Sequence, residues 1–356
     1  MTIGMTRNLF IVSPRFDGAF FFASVLVVVA AWIAAVPLHV NGFLILAIVA
    51  VVSNGPHLSS TWTRVYMDRR EWRERPWAIF AVPAAITTFV FSWKLWGNDA
   101  GRLLNTILLY WATWHFLAQN WGLLRIYQRR SGECDDALAR RLEKPLLFAA
   151  VAWCLLHRLR TGPWALFGTT VYHVRPPEWV LDVLGAACVT AAVLLLALRV
   201  CEKDRDVRRS GLLRLVFLGC AFVGFVVPFV VMTSVDGTTA FAAAACWHGL
   251  QYLGIMRFYH KNAWRAGVHP DARAISWLSQ PGGGRLVLYC MLLLALAGAG
   301  YIVIFTGALL TRGTTWNIYT WGAAVWLSLT FSHYWLDGVI WKLRRDRTVA
   351  ARLLLA

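Results

Sequence analysis

Apolar residues fill this chain in long stretches, separated by short segments that are polar and basic. Several stretches reach the roughly 20 residues that a helix needs to cross a bilayer. Ten are expected as membrane-spanning helices: residues 17–38, 42–66, 77–96, 103–127, 145–158, 178–199, 211–233, 239–260, 286–310 and 316–343. The fifth is short for a bilayer, so a tilted, broken or re-entrant segment is expected there. Pro56 and Pro228 fall inside two of the stretches and mark kinks, because proline removes a helical N–H. The pattern predicts an all-α, polytopic helical membrane bundle, with one transmembrane domain over residues 1–356.

Composition agrees. The chain is 58% hydrophobic and 15% charged, with 20 Trp and 20 Phe; a soluble domain carries about 25% charged residues. The net charge of +17 belongs to loops facing the cytoplasm and anionic lipid, and nucleic acid is not an expected partner. If the N-terminus is cytoplasmic, the cytoplasmic side holds Arg7, Arg15 and the basic segments 64–75, 125–144, 199–214, 257–285 and 342–352. The other side keeps Lys94, Arg102, Arg158, Arg160, Arg175 and Arg312. This asymmetry places both termini inside and predicts a multi-pass protein of a bacterial inner membrane.

The inner loops 128–144 and 261–285 are polar and expected to be mobile, with a flexible turn at Pro281–Gly284. The aromatic- and Pro-rich outer segment 158–177 could cap the outer face. No cleavable signal pattern is visible, so the first apolar run is expected to stay as a helix. The cysteines (134, 154, 188, 201, 220, 246 and 290) form no Cys-x-x-Cys pair and are expected as buried thiols. No phosphate-binding loop, dinucleotide fingerprint or nucleophile elbow is present.

One motif occurs twice. Residues 114–127 read WHFLAQNWGLLRIY and residues 247–259 read WHGLQYLGIMRFY. With one gap, His115, Gln119, Gly122, Arg125 and Tyr127 align with His248, Gln251, Gly254, Arg257 and Tyr259. Two looser relatives are PHLSSTWTRVY, from Pro56 to Tyr66, and SHYWLDGVIWKLR, from Ser332 to Arg344. All four lie on even-numbered spans and so run in the same direction. Each histidine precedes its basic exit (His57 to Arg64, His115 to Arg125, His248 to Arg257, His333 to Lys342) by about 10–15 Å of helix. The four imidazoles are therefore expected at one depth, as one metal site.

Polar partners recur near the histidines. Gln119, Gln251 and Asp337 stand three or four residues after theirs, on the same helix face; Thr61 after His57 is a weaker match. A carboxylate in hydrocarbon normally faces a bundle interior with a partner, so Asp337 is expected beside the metal. Asp337, Gln119 and Gln251 are assigned as groups that orient the imidazoles or add a ligand. Arg64, Arg125, Arg257, Tyr66, Tyr127 and Tyr259 suit either interfacial anchoring or a cytoplasmic mouth for a lipid head group or acidic substrate. The tryptophans beside the motifs could line an apolar tunnel, with plain packing as the alternative.

The four-histidine layout resembles that of the Brp/Blh-type membrane β-carotene dioxygenases, on Pro56-His57, His115-Phe116, His248 and His333 with Asp337. The likeness covers the motif helices, and the paired late histidines of that family stand here as His248 with Gln251. SHYWLDGVIW also resembles the ending of a group of bacterial polytopic membrane proteins. The resemblance implies non-haem iron and an apolar substrate. The short histidine boxes of membrane di-iron desaturases are not matched.

The expected function is an O₂-dependent non-haem metalloenzyme, with iron first and copper or zinc as alternatives, acting on a lipophilic substrate. A transporter or proton-conducting protein using the His/Asp set stays open. So does a haem-binding electron carrier.

Overall fold

The computed structural model describes residues 9–93, 99–131, 137–162, 164–311, 318–341 and 347–354. Arg7, Lys94, Cys134, Arg312, Lys342 and Arg344 lie outside them. The chain is 85% helical. Helices stand at all ten expected places: α1 (Pro14–Ala35), α2 (Gly42–Tyr66), α3 (Trp77–Ser92), α4 (Asp99–Arg130), α5 (Ala137–Thr161), α6 (Glu178–Val200), α7 (Arg205–Ser234), α8 (Gly237–Ala263), α9 (Gly283–Leu310) and α10 (Ile318–Ile340). A final amphipathic helix, α11 (Arg347–Leu354), follows.

Five of these helices, α1, α2, α6, α7 and α9, are long and apolar enough to cross a membrane. Much of α6 and α9 faces outward with apolar side chains such as Val189, Val193, Val287 and Met291, a surface suited to lipid tails. By contrast, α4, α8 and α10 carry the polar residues of the bundle interior, which dilutes their apolar content. The expectation for the fifth span is corrected: α5 is a 25-residue helix with Pro145 inside it. Its first turns are charged, which hid them from an apolar reading.

Those charges bolt four helices together. Glu143 of α5 is fully buried and accepts from Arg214 Nε of α7 at 3.0 Å, Arg199 Nη2 of α6 at 3.3 Å and Gln128 Nε2 of α4 at 2.7 Å. The inner loop 261–285 is also corrected, since it holds the short helix Arg273–Leu278. The N-terminal segment hooks on itself: Asp17 accepts from the backbone N–H of Ile11 at 2.6 Å and from Tyr127 OH at 2.8 Å. Cys154 and Cys246 are buried as expected, but Cys201, just past the end of α6, and Cys290, on outward-facing α9, are exposed.

Neighbour pairs establish the helix directions. Down α2 and α8, Ser53 meets Cys246, Thr61 meets Tyr252, and Arg64 meets Tyr259. Down α2 and α10, Thr61 meets His333 and Arg64 meets Ile340. The starts of α4 and α8 both bond one hairpin, β1 (Ala165–Leu166) with β2 (Thr169–Thr170): Asn105 Nδ2 donates to Leu166 O, and Phe167 N to Thr238 Oγ1. So α2, α4, α8 and α10 run parallel, and the expected capping segment closes one end of the bundle.

Helix α2 is not uniform. Its residues Ala50–Asn54 form a π-helical turn just before Gly55-Pro56, and another, Val227–Val231, contains Pro228. Both prolines expected to mark kinks thus stand at or next to a π turn. The proline lacks the N–H of a regular ladder, and the extra residue of a π turn absorbs the mismatch. Elsewhere, Gly224 lets α7 approach α8: a Cβ there would fall 2.5 Å from the ring of buried Trp247.

Candidate metal centre

His57, His115, His248 and His333 converge from α2, α4, α8 and α10. One ring nitrogen from each lies within 4.8 Å of all the others. Successive rings stand near-perpendicular around a circuit: His57–His333 4.3 Å, His333–His115 5.1 Å, His115–His248 4.8 Å and His248–His57 4.8 Å between centroids. His57, His248 and His333 are 3%, 1% and 0% exposed; His115 leaves 10% of its side chain open. The expected common depth of the four rings is met.

Local packing brings them this close. Gly249, next to His248, faces α2, where a Cβ would come 2.3 Å from Ser53 Oγ and 3.3 Å from His57 Cβ. Ser53 Oγ in turn donates to Cys246 O at 2.8 Å. The π turn of α2, with the residues just after it, and the turn of α8 holding His248 are thus pinned side by side.

The cluster fits a metal ion. His57 Nδ1, His115 Nε2, His248 Nδ1 and Nε2, and His333 Nε2 are buried without a hydrogen-bond partner. Several unpaired buried nitrogens at one point need an explanation, and a shared cation supplies one. Two nitrogens held at about 2.0–2.1 Å from one ion can be at most about 4.2 Å apart. In a tetrahedral site the nitrogens stand about 3.4 Å apart, so closing from the observed spacing takes up to about 0.8 Å per ring, within side-chain adjustment.

Asp337 sits beside the cluster, as expected. Its Oδ2 is 3.6 Å from both His115 Nε2 and His333 Nε2. Its Oδ1 accepts from Tyr252 OH at 2.7 Å and Thr61 Oγ1 at 3.1 Å. Thr61 Oγ1 also lies 2.9 Å from His333 Nδ1. With the Thr61 proton directed to Asp337, Nδ1–H of His333 donates to Thr61, and its Nε2 lone pair faces the other rings. Tyr252 stacks edge-on to His57 at 4.5 Å and accepts from Trp341 Nε1 at 3.2 Å.

The two glutamines differ from expectation. Gln119 Nε2 donates to His248 O at 3.0 Å and Gln251 Oε1 at 3.1 Å, and Gln251 Nε2 donates to Asn120 Oδ1 at 3.4 Å. They tie α4 to α8, and neither has a hydrogen bond to an imidazole among the described residues. One helical turn carries each amide past its histidine ring, so Thr61 takes the orienting place. Thr61, Tyr252 and Tyr334 (4.5 Å from the His115 ring) are the site residues that sequence reasoning underrated or missed.

The expected head-group set disperses. Arg64 is buried, with its guanidinium 4.1 Å from the Tyr259 ring and 4.4 Å from the Trp341 ring, and donates to Ile340 O at 2.7 Å. Tyr259 accepts from Arg352 of α11, and Tyr127 holds Asp17. Arg125 and Arg257 stay half-buried, and Tyr66 is exposed.

A cavity of about 410 Å³ adjoins the cluster between α4 and α10. His115, Gln119, Tyr252 and Asp337 form its polar part; tryptophans 111, 114, 335 and 341, with aliphatic residues, form the rest.

No family model matches this chain, and neither a curated protein nor a solved structure matches it.

Proposed function

We propose that this chain is an integral-membrane, non-haem metalloenzyme that oxidises a lipophilic substrate with O₂. One observation carries the metal: ring nitrogens from four parallel helices are buried, unpartnered and within 4.8 Å of one another. Iron is the first choice and copper the second; zinc would also accept neutral imidazole but has no redox chemistry and would not support the O₂ step. A bound redox metal would supply O₂ binding and electron transfer at this point.

The chain's own residues do the remainder. His57, His115, His248 and His333 bind. Thr61 and Asp337 hold His333 in one tautomer. Asp337 Oδ2 faces two of the rings, where it can serve as a further ligand or take up a proton. The aromatic walls exclude water from the reacting atoms. An apolar cavity ending on these groups is the observation that favours a lipophilic substrate over a transported ion. Haem is disfavoured because the gap a porphyrin needs between two axial imidazoles is filled here by the other two rings.

The wider reading has ten spans and both termini cytoplasmic, in a bacterial inner membrane. Its support is the basic bias of the loops. The resemblance of Pro56-His57, His115-Phe116, His248 and His333 with Asp337 to the Brp/Blh-type dioxygenases is compatible with it.

Elemental analysis and a visible spectrum of protein purified in mild detergent test this proposal. The expected result is one iron per chain without a porphyrin Soret band. Protein that takes up no transition metal under any loading, or that carries haem, would overturn it.

A further inference from the structure

The cavity beside the histidines is shaped for a particular occupant. It follows one face of α4, where Trp111, His115, Ala118, Gly122 and Ile126 recur at three- and four-residue steps. The rise from Trp111 to Ile126 makes it about 22 Å long. A volume of 410 Å³ spread over that length is a slot, within the ordinary range of ligand sites. Its width depends on two lining glycines, Gly122 of α4 and Gly338 of α10. A Cβ at Gly122 or Gly338 would meet nothing within 4 Å, so both border open space.

The polar groups of the slot lie towards the histidine end. Its far part is lined by Leu123, Ile126, Ile255, Val339 and Leu353. Positive charge gathers at its edge on the α5 side. Arg125 lies on the same arc of α4 as Trp114 and Ala118, with its guanidinium 5.7 Å from the Trp121 ring and its Nη1 donating to Gln128 Oε1; a guanidinium has several N–H donors, which a ligand can share. Lys144 Nζ is 5.7 Å from that ring and 5.4 Å from the ring of Phe148, which packs on cavity-lining Trp114 at 5.9 Å. Lys144 is exposed.

We infer that the slot binds a single long-chain carboxylate, a free fatty acid. Its chain lies along α4, and its carboxylate meets Arg125 and Lys144. Charge complementarity selects the anion, because two long cationic side chains rooted beside the lining residues Ala118, Gly122 and Trp114 can reach a charged head at the slot's edge and give a neutral one little. The single slot selects one chain, since a two-chain phospholipid would leave its second chain outside. Arg125 stands about 15 Å below His115 along α4. The atoms that reach the cluster are then methylenes well down the chain, far from the head group. This placement rests on the metal reading above; the slot itself does not.

Binding of radiolabelled palmitate, with hexadecanol as the neutral counterpart, tests the inference. The full chain is placed in nanodiscs of phosphatidylcholine, and metal content is measured on the same samples. Palmitate should bind saturably, one per chain, and more tightly than hexadecanol. The double variant Arg125→Gln/Lys144→Gln should weaken palmitate roughly tenfold or more and leave hexadecanol unchanged. Gly122→Leu and, independently, Gly338→Leu should abolish binding of both while metal content stays normal. Equal affinity for alcohol and acid, or palmitate binding that survives both leucine variants, would overturn the inference. Protein that binds palmitate in this pattern but takes up no metal keeps the slot and sinks the metal reading. Metal uptake without saturable palmitate binding sinks the slot alone.

Discussion

Thr61 Oγ1 lies 2.9 Å from Nδ1 of His333, on a neighbouring helix. This contact leaves one nitrogen of His333 for the cluster. Thr61→Val keeps the shape and removes the hydroxyl, so metal affinity should fall about 10–100-fold, as for other ligand-orienting groups. Thr61→Ser should retain most of it. Competition with a chelator of known affinity gives the answer; wild-type affinity in the valine variant would assign the tautomer to another group.

Each of the four histidines should be needed separately. Alanine at 57, 115, 248 or 333 should remove the metal, while the protein still reaches the membrane and elutes as a monodisperse species. A variant that retained full metal content would show that its histidine only packs.

Gly249 tests the geometry without touching a ligand. Its Cβ in Gly249→Ala would fall 2.3 Å from Ser53 Oγ and 3.3 Å from His57 Cβ, so either Ser53 rotates off Cys246 O or α2 shifts from α8. Overpacking of this kind costs about 1–3 kcal/mol. Metal affinity should drop although all four histidines remain, and Ser53→Gly in the same chain should restore part of it. Normal metal binding by the single variant would place the control of spacing elsewhere.

Glu143 should matter for stability and not for metal. Glu143→Ala strips the carboxylate from two buried guanidiniums, those of Arg199 and Arg214. Breaking a buried pair costs about 3–5 kcal/mol. The thermal midpoint in detergent should fall markedly, with metal stoichiometry unchanged in the folded fraction. A midpoint within error of wild type would contradict the structural role.

Reporter fusions bear on topology. Fusions at residues 100 and 350 should report opposite sides of the membrane; the same side would mean a wrong span count between them.

The helices and the four histidines were legible in the sequence because both leave a periodic record. Apolar runs of bilayer length announce helices. A histidine at a fixed distance from a basic exit announces a shared depth, and Asp337 stands out because a carboxylate is expensive in an apolar run. Tyr252 left no such record, since one more tyrosine in a chain rich in aromatic residues is indistinguishable from packing. Thr61 was underrated because a hydroxyl gains meaning only from its partners, and those of Thr61 come from α8 and α10, far off in sequence. The glutamines misled for the opposite reason. Their spacing puts them on the histidine face, but side-chain length then carries them to the next helix. The first turns of α5 were missed because buried Glu143 looks like a loop residue until its two arginines are in place.

The π turn at Ala50–Asn54 makes the metal centre depend on counting. Within it, Val51 and Val52 point outward at 57% and 53% exposure; after it, Gly55 through Thr61 are all buried. One extra residue per turn rotates everything downstream by about 100° relative to an unbroken helix. Deleting a single valine there would let α2 relax to a regular ladder and swing His57 off the axis it shares with His115, His248 and His333. The protein would keep every ligand in its sequence and lose the centre, and a one-residue insertion elsewhere in the outward-facing half could bring it back. In an alignment of relatives, the outward positions of that half, such as Ile48, Val51 and Val52, should therefore tolerate changes of residue type freely, and the half as a whole should tolerate changes of length hardly at all.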